Sequence, residues 1–416
     1  MMNSFRLTTL VSLFTISSLV LAGGPLVLEG SKGNTPVTYE DPNITIHAET
    51  GPLGADYNND DADTLIRDAF AFWNDVDTTT VNLTLNEGPI NGLITVDIDI
   101  GNFLNFLPDP NGNTTNADDN LNPIVYDNDG SIIDEFFGGG ASDSTIGFAA
   151  SFFSNEGDFF IEGYAVINGK SLFPALTETE FKLLIAHEIG HFLGLDHSQV
   201  NINNDETDFG SPPVCSTTSL SNYPVMYPFV CRDVETLHAD DISAISALYP
   251  AANFDTSFGI IEGRFVDNDG APILGANIWA ENTTTGDVVS IVSDYLLEGT
   301  GFYRLHLTPG TYTLHANSIN PLFNGGSSIG PYSLFPSDQS FTAPNPITEV
   351  TLQAEVAGAE IISVIADQTV TLNFSVSGNS VELSKSSGGG GAISSLVSLL
   401  LLSLLVVARR FNTTNK

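Results

Sequence analysis

Apolar residues recur at helical spacing in residues 61–75, where Leu65, Ile66, Ala69, Phe70 and Trp73 share one face. This spacing predicts an amphipathic helix. Thr177 and Glu180 form a capping-box pattern that predicts a second helix over 179–193. A third helix is predicted over 234–249, ending at Pro250.

Alternation of apolar and polar residues predicts half-buried strands at 81–85, 93–100, 146–153 and 159–167. The stretch 111–140 is rich in Asn, Asp and Gly and is predicted to be loop. Together these patterns predict one α+β domain over 38–250.

The pattern changes at Phe258, after a predicted linker at 251–257. Only short strands follow, and turns such as Asn268-Asp269-Gly270 separate them. Their spacing predicts a small all-β sandwich over 258–355. Residues 356–391 are interpreted either as a further strand pair or as a stalk that ends in a glycine run.

Both ends of the chain have the pattern of targeting segments. Residues 1–22 carry Arg6, an apolar stretch and a small-residue cleavage pattern, which predicts a signal peptide followed by a short segment at 23–37. The alternative is a membrane anchor. Residues 392–408 are apolar or small on every face and predict a transmembrane helix, the alternative being a buried core helix. The basic tail 409–416 is expected on the cytoplasmic side.

Charge excludes one class of partner. The chain has 50 acidic and 12 basic side chains, a formal net charge of −38. Such a surface repels phosphate backbones, so no nucleic-acid binding is expected.

In an exported protein the two cysteines, Cys215 and Cys231, are expected to form one disulfide, and two free buried thiols are the alternative.

The candidate chemistry lies in one stretch, His187-Glu188-Ile189-Gly190-His191-Phe192-Leu193-Gly194-Leu195-Asp196-His197. Residues four apart lie on one helix face, so His187 and His191 can bind one ion. Gly194 lets the backbone leave the helix, so that His197 can supply a third ligand. Three imidazoles leave a position open for water on zinc, and Glu188 is placed to accept that water's proton. The alternative is a helix that carries surface histidines.

This stretch resembles the signature of the metzincins, and Pro224-Val225-Met226-Tyr227-Pro228 resembles their Met-turn. Ser198 and the Met-Tyr-Pro sequence are similar to the matrixin branch. The resemblance implies a catalytic domain with a twisted mixed sheet and a long active-site helix. It also implies a zinc-dependent endopeptidase in which Met226 packs below the imidazoles. It also implies a protein or peptide substrate that lies along an edge strand within 146–153.

Two weaker resemblances concern the remaining chain. The sequence GRFVDNDGAPILGANIWA, followed by GFYRLHLTPGTYTLHA, is similar to carboxypeptidase regulatory-like domains. The last part of the chain resembles a GlyGly-CTERM sorting tail of Gram-negative bacteria. That resemblance implies export to the envelope or outer surface, with membrane contact through the tail and a rhomboid-like sorting protease as a partner.

Several features depart from the matrixin pattern. No cysteine lies between the signal and the catalytic domain, and about fifteen residues there are too few for a folded pro-domain, so latency by a zinc-bound thiolate is not expected. The remaining histidines are scattered. Asp127 and Asp129 are weak candidate calcium ligands, because position twelve of an EF-hand pattern would be Gly138 rather than Glu.

The leading hypothesis is a monomeric, secreted or cell-surface zinc endopeptidase, with the extracellular matrix as an expected setting and no substrate identified. One rival is a catalytically idle, zinc-containing adhesin that binds through its β-sandwich. Another is a maturation factor that processes neighbouring surface proteins. The presence of Glu188 argues against the idle adhesin, because a structural zinc site needs no general base.

Overall fold

The structure is a computed structural model that describes residues 24–29, 34–87, 94–107, 121–153, 159–170, 176–198, 215, 220–318, 350–352, 361–377 and 380–383. The chain divides into two compact units, Met1–Leu383 and Ser384–Lys416. The predicted signal peptide, glycine run, transmembrane helix and basic tail lie outside the described residues. Among the helices that are described, none is long and apolar enough to span a bilayer.

The described residues up to 257 contain five α-helices. These are α1 (Asn59–Asn74), α2 (Ser131–Phe137), α3 (Glu178–Phe192), α4 (Ala239–Leu248) and α5 (Phe254–Ser257). Short 3-10 turns occur at Phe103–Phe106, Ala141–Asp143 and Leu220–Asn222. The Asn58 side chain caps α1. The predicted box of Thr177 and Glu180 caps α3, each side chain accepting the other residue's backbone N–H.

Seven strands occur among the same described residues. These are β1 (Leu28–Glu29), β2 (Thr35–Pro36), β3 (Asn43–Ala48), β4 (Asn82–Asn86), β5 (Pro123–Asp127), β6 (Gly147–Phe153) and β7 (Phe160–Asn168). Five of them form a sheet in the order β4-β3-β5-β7-β6. The first four strands are parallel, and β6 is antiparallel to β7 at one edge. A mixed sheet of this kind is compatible with the fold that the metzincin resemblance implies.

One face of the sheet packs on α1 and α3. Ile46, Ile124 and Ile167 point into a core that includes Trp73 and Ile185 from the two helices. The indole Nε1 of Trp73 donates to the Ala186 carbonyl at 3.0 Å, which ties α1 to the middle of α3. The helix that carries two of the three candidate metal ligands, His187 and His191, therefore lies on a fixed platform.

Residues 93–100 were predicted to be a strand, but residues 94–100 are not one in the structure. Ile94 and Ile98 are buried against the second face of the sheet, where they meet Val125 and Val166. The residues between them are exposed. Alternation in this segment therefore reflects two anchored side chains on a loop rather than pairing with a neighbouring strand.

The predicted loop at 111–140 was also wrong in part, because β5 and α2 lie inside it. Strand β5 is short and buried along its whole length between β3 and β7. A strand buried on both faces shows no alternation, so neighbouring Asn and Asp residues dominated the pattern. Gly130, with φ of 77°, then starts α2 directly after the strand.

The second half of the described chain is a β-sandwich of ten strands. They are β8 (Gly259–Asp267), β9 (Ala276–Asn282), β10 (Val288–Val292), β11 (Phe302–Leu307), β12 (Gly310–Ser318), β13 (Val350–Leu352), β14 (Ile362–Val364), β15 (Thr369–Thr371), β16 (Phe374–Ser377) and β17 (Ser380–Leu383). One sheet has the order β10-β9-β12-β13, and β14 also pairs with β12. The other has the order β11-β8-β16-β17, and β15 also pairs with β8.

The two sheets enclose one core, to which Ile261 and Tyr303 contribute from one sheet and Ile278 and Leu314 from the other. Of the two interpretations for 356–391, strands and a stalk, the structure has strands at β14 to β17. They complete both sheets, so the sandwich extends beyond residue 355.

Candidate metal centre

Three imidazoles converge at the C-terminal end of α3. The Nε2 atoms of His187, His191 and His197 lie 3.1 Å apart in each of the three pairs. His187 and His191 are one turn apart on α3, as their spacing predicts. Among the described residues, these three are the one group of ligand side chains that could hold a metal ion together.

Gly194 brings His197 to this position. Its φ of 92° is unfavourable for a residue with a side chain. The Leu195 N–H then donates to the Gly190 carbonyl at 2.9 Å, which closes the end of α3. The chain turns back, and His197 approaches the helix from the loop.

Backbone carbonyls set the orientation of two of the rings. Nδ1 of His187 lies 2.7 Å from the Val225 carbonyl, and Nδ1 of His191 lies 2.8 Å from the Leu195 carbonyl. A carbonyl accepts only, so each Nδ1 carries the proton and each Nε2 carries a lone pair. Ring orientation by an outer acceptor is the usual arrangement for histidine ligands.

This donor set fits zinc. Lone pairs held 3.1 Å apart repel one another unless a cation lies between them. Three atoms at this separation can all lie about 2.0–2.1 Å from one point, which is the Zn–N bond length. Burial lowers the pKa of His187 to about 4 and that of His191 to about 3, so both rings are neutral at pH 7, as metal binding requires.

Glu188 lies beside the edge strand. It is 4% exposed, and burial raises its pKa to about 8. A Cβ atom built on Gly147, the first residue of β6, would lie 2.9 Å from the Glu188 Cγ and 3.0 Å from its Oε1. The candidate base is thus next to the start of the edge strand, and only a glycine leaves room for it there.

Met226 is buried below α3. A Cβ atom on Gly190 would lie 2.2 Å from its Sδ, so Met226 packs directly on the helix turn between His187 and His191. The Ser198 N–H donates to the Met226 carbonyl at 2.7 Å. The turn around Met226 is therefore bonded to the residue that follows the third histidine.

Asp241 holds this turn from below. Its carboxylate accepts the N–H groups of Val225 at 2.8 Å, Met226 at 3.0 Å and His238 at 2.9 Å. The sequence pattern does not indicate this role. Asp241 lies inside the helix predicted over 234–249, where an acidic residue resembles one on an ordinary solvent-facing side.

The structure joins Cys215 and Cys231 in a disulfide, as the sequence analysis expects.

The two weak candidate calcium ligands, Asp127 and Asp129, form hydrogen bonds within the protein. Asp127 accepts the N–H groups of Ile132 and Ile133, and Asp129 accepts that of Ser131. Both carboxylates therefore act as caps at the start of α2, the turn-forming role that explains the same residues without an ion.

One protein family matches this part of the chain. Residues 40–203, less than half of the chain, match the model of the matrixin family. No curated protein matches. This match and the three-histidine cluster support a matrixin-like zinc metallopeptidase in general terms.

Solved structures give short, distant matches. A 5-hydroxyisourate hydrolase from Klebsiella pneumoniae is 14% identical and covers 31% of this chain and 99% of its own, with a TM-score of 0.19. An (S)-allantoin synthase is 15% identical over 35% of this chain and 51% of its own, with a TM-score of 0.19. BcpA, the major pilin subunit of Bacillus cereus, is 19% identical over 29% of each chain, with a TM-score of 0.14. Scores this low support no conclusion about this protein.

Proposed function

We propose that this protein is an endopeptidase that hydrolyses protein or peptide substrates at the His187, His191 and His197 site. The observation that carries the proposal is the convergence of three imidazole lone pairs beside a buried glutamate at a sheet edge. A structural metal site would need neither the glutamate nor the open edge.

Each residue has a defined task in this proposal. His187, His191 and His197 would hold zinc, which when bound polarises the scissile carbonyl and acidifies a water molecule. Strand β6 offers the backbone groups of its outer edge to an extended peptide. Glu188 takes a proton from the attacking water and returns it to the leaving amine. Its position beside the first residue of β6 suits this role, because a general base must lie within reach of the groups between which it moves the proton.

We also propose that the protein is exported and tethered, at least transiently, through the apolar segment 392–408. The support is the sequence pattern of both ends. Mass spectrometry of the released protein should find a C-terminus near Gly391. An intact Lys416 in released protein would contradict removal of the tail.

The test of the peptidase function is Glu188→Ala in the mature protein, measured on a denatured protein substrate. We expect kcat/KM to fall about 10²–10⁴-fold while one zinc per chain stays bound, because the base is lost and the ligands are kept. Glu135→Ala, an exposed glutamate on α2, is the matched control and should keep full activity. Equal activity of the two variants, or full activity of zinc-free protein, would refute the proposed mechanism. Zinc-loaded unmodified protein that cleaves no substrate would refute the peptidase function and favour the idle adhesin.

A further inference from the structure

A buried carboxylate connects the metal centre to the β-sandwich. Asp240, in the first turn of α4, is 2% exposed. Its Oδ2 accepts a hydrogen bond from the Ser198 hydroxyl at 2.5 Å. Its Oδ1 accepts from the Ser290 backbone N–H at 2.6 Å and from the Ser290 hydroxyl at 3.3 Å. Ser198 directly follows the third histidine, and Ser290 lies in the middle of β10.

Apolar contacts join the same two parts of the molecule. Tyr223 and Tyr227, on either side of Met226, form one buried cluster with Val292 of β10. The disulfide half Cys231 belongs to this cluster, and Leu274 and Leu297 of the sandwich pack against it. The β-sandwich therefore packs directly against the segment around Met226.

A third contact makes the junction continuous. The Ser243 hydroxyl on α4 donates to the His306 carbonyl on β11 at 2.8 Å. Strands of both sandwich sheets therefore contact α4, the helix whose first turn also holds Val225 and Met226 through Asp241. A junction of buried hydrogen bonds and aromatic packing differs from a flexible linker between independent modules.

We propose that the β-sandwich is a structural part of the metal centre, with Asp240, Ser290 and Val292 as positioning residues for the His197 loop and the segment 223–227. The bridge runs from β10 through Asp240 to Ser198, one peptide bond from His197. The inference deepens the proposed peptidase function and rests on it for the activity measurements alone.

The chemistry of the junction predicts what its loss would do. Removing the Asp240 carboxylate leaves the Ser198 hydroxyl and the Ser290 amide without this acceptor in a buried site, which favours rearrangement of the loop. Loss of groups that orient histidine ligands typically weakens metal binding 10–100-fold. Because coupling is reciprocal, zinc should in turn stabilise the contact at Ser290.

The first experiment compares Asp240→Ala with Asp63→Ala in the zinc-loaded full chain. Asp63 is a matched control, since its buried carboxylate on α1 accepts the Tyr126 hydroxyl at 2.7 Å. We expect zinc competition with a chelator to show binding at least about 10-fold weaker in Asp240→Ala than in the control. Asp240→Asn should restore most of this loss, because its amide can still accept from Ser290 and donate to Ser198. Equal zinc affinities for Asp240→Ala and Asp63→Ala would overturn the proposal.

The second comparison is Val292→Ala against Val364→Ala. Both valines are buried in the sandwich, but Val364 belongs to its internal core and Val292 to the cluster with Tyr223 and Tyr227. We expect Val292→Ala to raise KM and change the preferred cleavage positions, and Val364→Ala to lower thermal stability alone. Identical KM values and cleavage patterns for the two variants would count against the sandwich as a wall of the site.

A measurement on the unmodified protein covers the case in which a variant fails to fold. Hydrogen exchange is followed at the Ser290 amide, with and without zinc, and at the Leu372 amide, which donates to the Glu262 carbonyl within the sandwich. Zinc should slow exchange at Ser290 by a larger factor than at Leu372. An equal factor at both amides would overturn the coupling, and this readout holds even if the protein cleaves no peptide.

Discussion

At the residue scale, the site depends on which atoms carry lone pairs and which carry protons. The backbone carbonyls of Val225 and Leu195 accept hydrogen bonds from Nδ1 of His187 and of His191. The Nε2 lone pairs of both rings therefore face the point where the three imidazoles meet. The motif predicts which residues are ligands, but these carbonyls carry no side-chain signal. They became visible only in the folded chain.

Gly147→Ala is predicted to impair catalysis without affecting the metal. The added Cβ would lie 2.9 Å from both the Glu188 Cγ and the Val166 carbonyl oxygen, and the carbonyl is fixed in the sheet. Glu188 must therefore turn away, and we expect kcat to fall at least about tenfold, equivalent to roughly 1.4 kcal/mol of transition-state stabilisation. The measurement is kcat together with bound zinc.

The matched control for Gly147→Ala is Gly139→Ala, because a Cβ at Gly139 has nothing within 4 Å. It should retain normal kcat. If both glycine variants turn over substrate at the unmodified rate, the close approach of Gly147 to Glu188 has no catalytic importance.

Glu49 is predicted to make stability depend on pH. It is fully buried, its carboxylate accepts the N–H groups of Ile98 and Tyr126, and burial raises its pKa from 4.5 to about 9. Between these values the folded chain keeps a proton that the unfolded chain releases. The free energy of unfolding should therefore fall as pH rises through this window, by at most about 1.4 kcal/mol per pH unit from this group.

The test is urea unfolding at several pH values between 5 and 9, with a chelator present so that zinc binding does not contribute. Glu49→Gln should flatten the slope relative to the unmodified chain, and Glu135→Gln, at an exposed position, should not. The same slope for Glu49→Gln and the unmodified protein would show that Glu49 releases its proton at similar pH in both states.

At the element scale, α3 is positioned by segments that pack closely against it on two sides. Gly190 lets Met226 and Trp73 contact the helix, and Gly147 lets β6 contact Glu188. The helix itself was predictable from its capping box. The predicted helix at 234–249 begins later in the structure, at Ala239, because His238 and Asp241 cap it there.

Gly190→Ala is predicted to destabilise the junction of α1, α3 and the Met226 turn. The new Cβ would lie 2.2 Å from the Met226 Sδ and 3.0 Å from Cζ2 of Trp73, whose indole is bonded to Ala186. Overpacking of this kind typically costs about 1–3 kcal/mol. Denaturant unfolding of Gly190→Ala, Met226→Ala and the double variant measures it.

The double variant discriminates between packing and other causes. If Met226 is the obstacle, its removal makes room for the new methyl group, and the double variant should lose clearly less stability than the sum of the single losses. Additivity within about 0.5 kcal/mol would show that the two positions are not coupled.

At the scale of the whole molecule, charge is far from balanced. The net charge is −38, and the described lysines and arginines include several in ion pairs, such as Lys182 with Asp68 and Glu178, and Arg304 with Glu262. Excess like charge opposes the compact state through self-repulsion. The acidic composition therefore predicts a dependence on salt.

Thermal unfolding should shift to higher temperature when NaCl is raised from about 10 mM to about 300 mM, because screening shortens the range of repulsion from roughly 30 Å to below 10 Å. Most of the increase in unfolding temperature should occur within this range of NaCl concentration. A rise that instead continues linearly to molar salt, or that sucrose reproduces, would identify exclusion of solutes from the surface as the cause.

The sequence by itself determined the local features: the ligand spacing on α3, the capping box, the glycine exit and the candidate base. These depend on residues within about ten positions of one another, where helix geometry alone sets which side chains meet. The sheet order, the buried strand β5, the loop at 94–107 and the Asp240 bridge depend on contacts between distant segments. Asp240 and Ser290 are fifty residues apart, and their meeting is decided by how α4 packs on the sandwich, which no local pattern encodes.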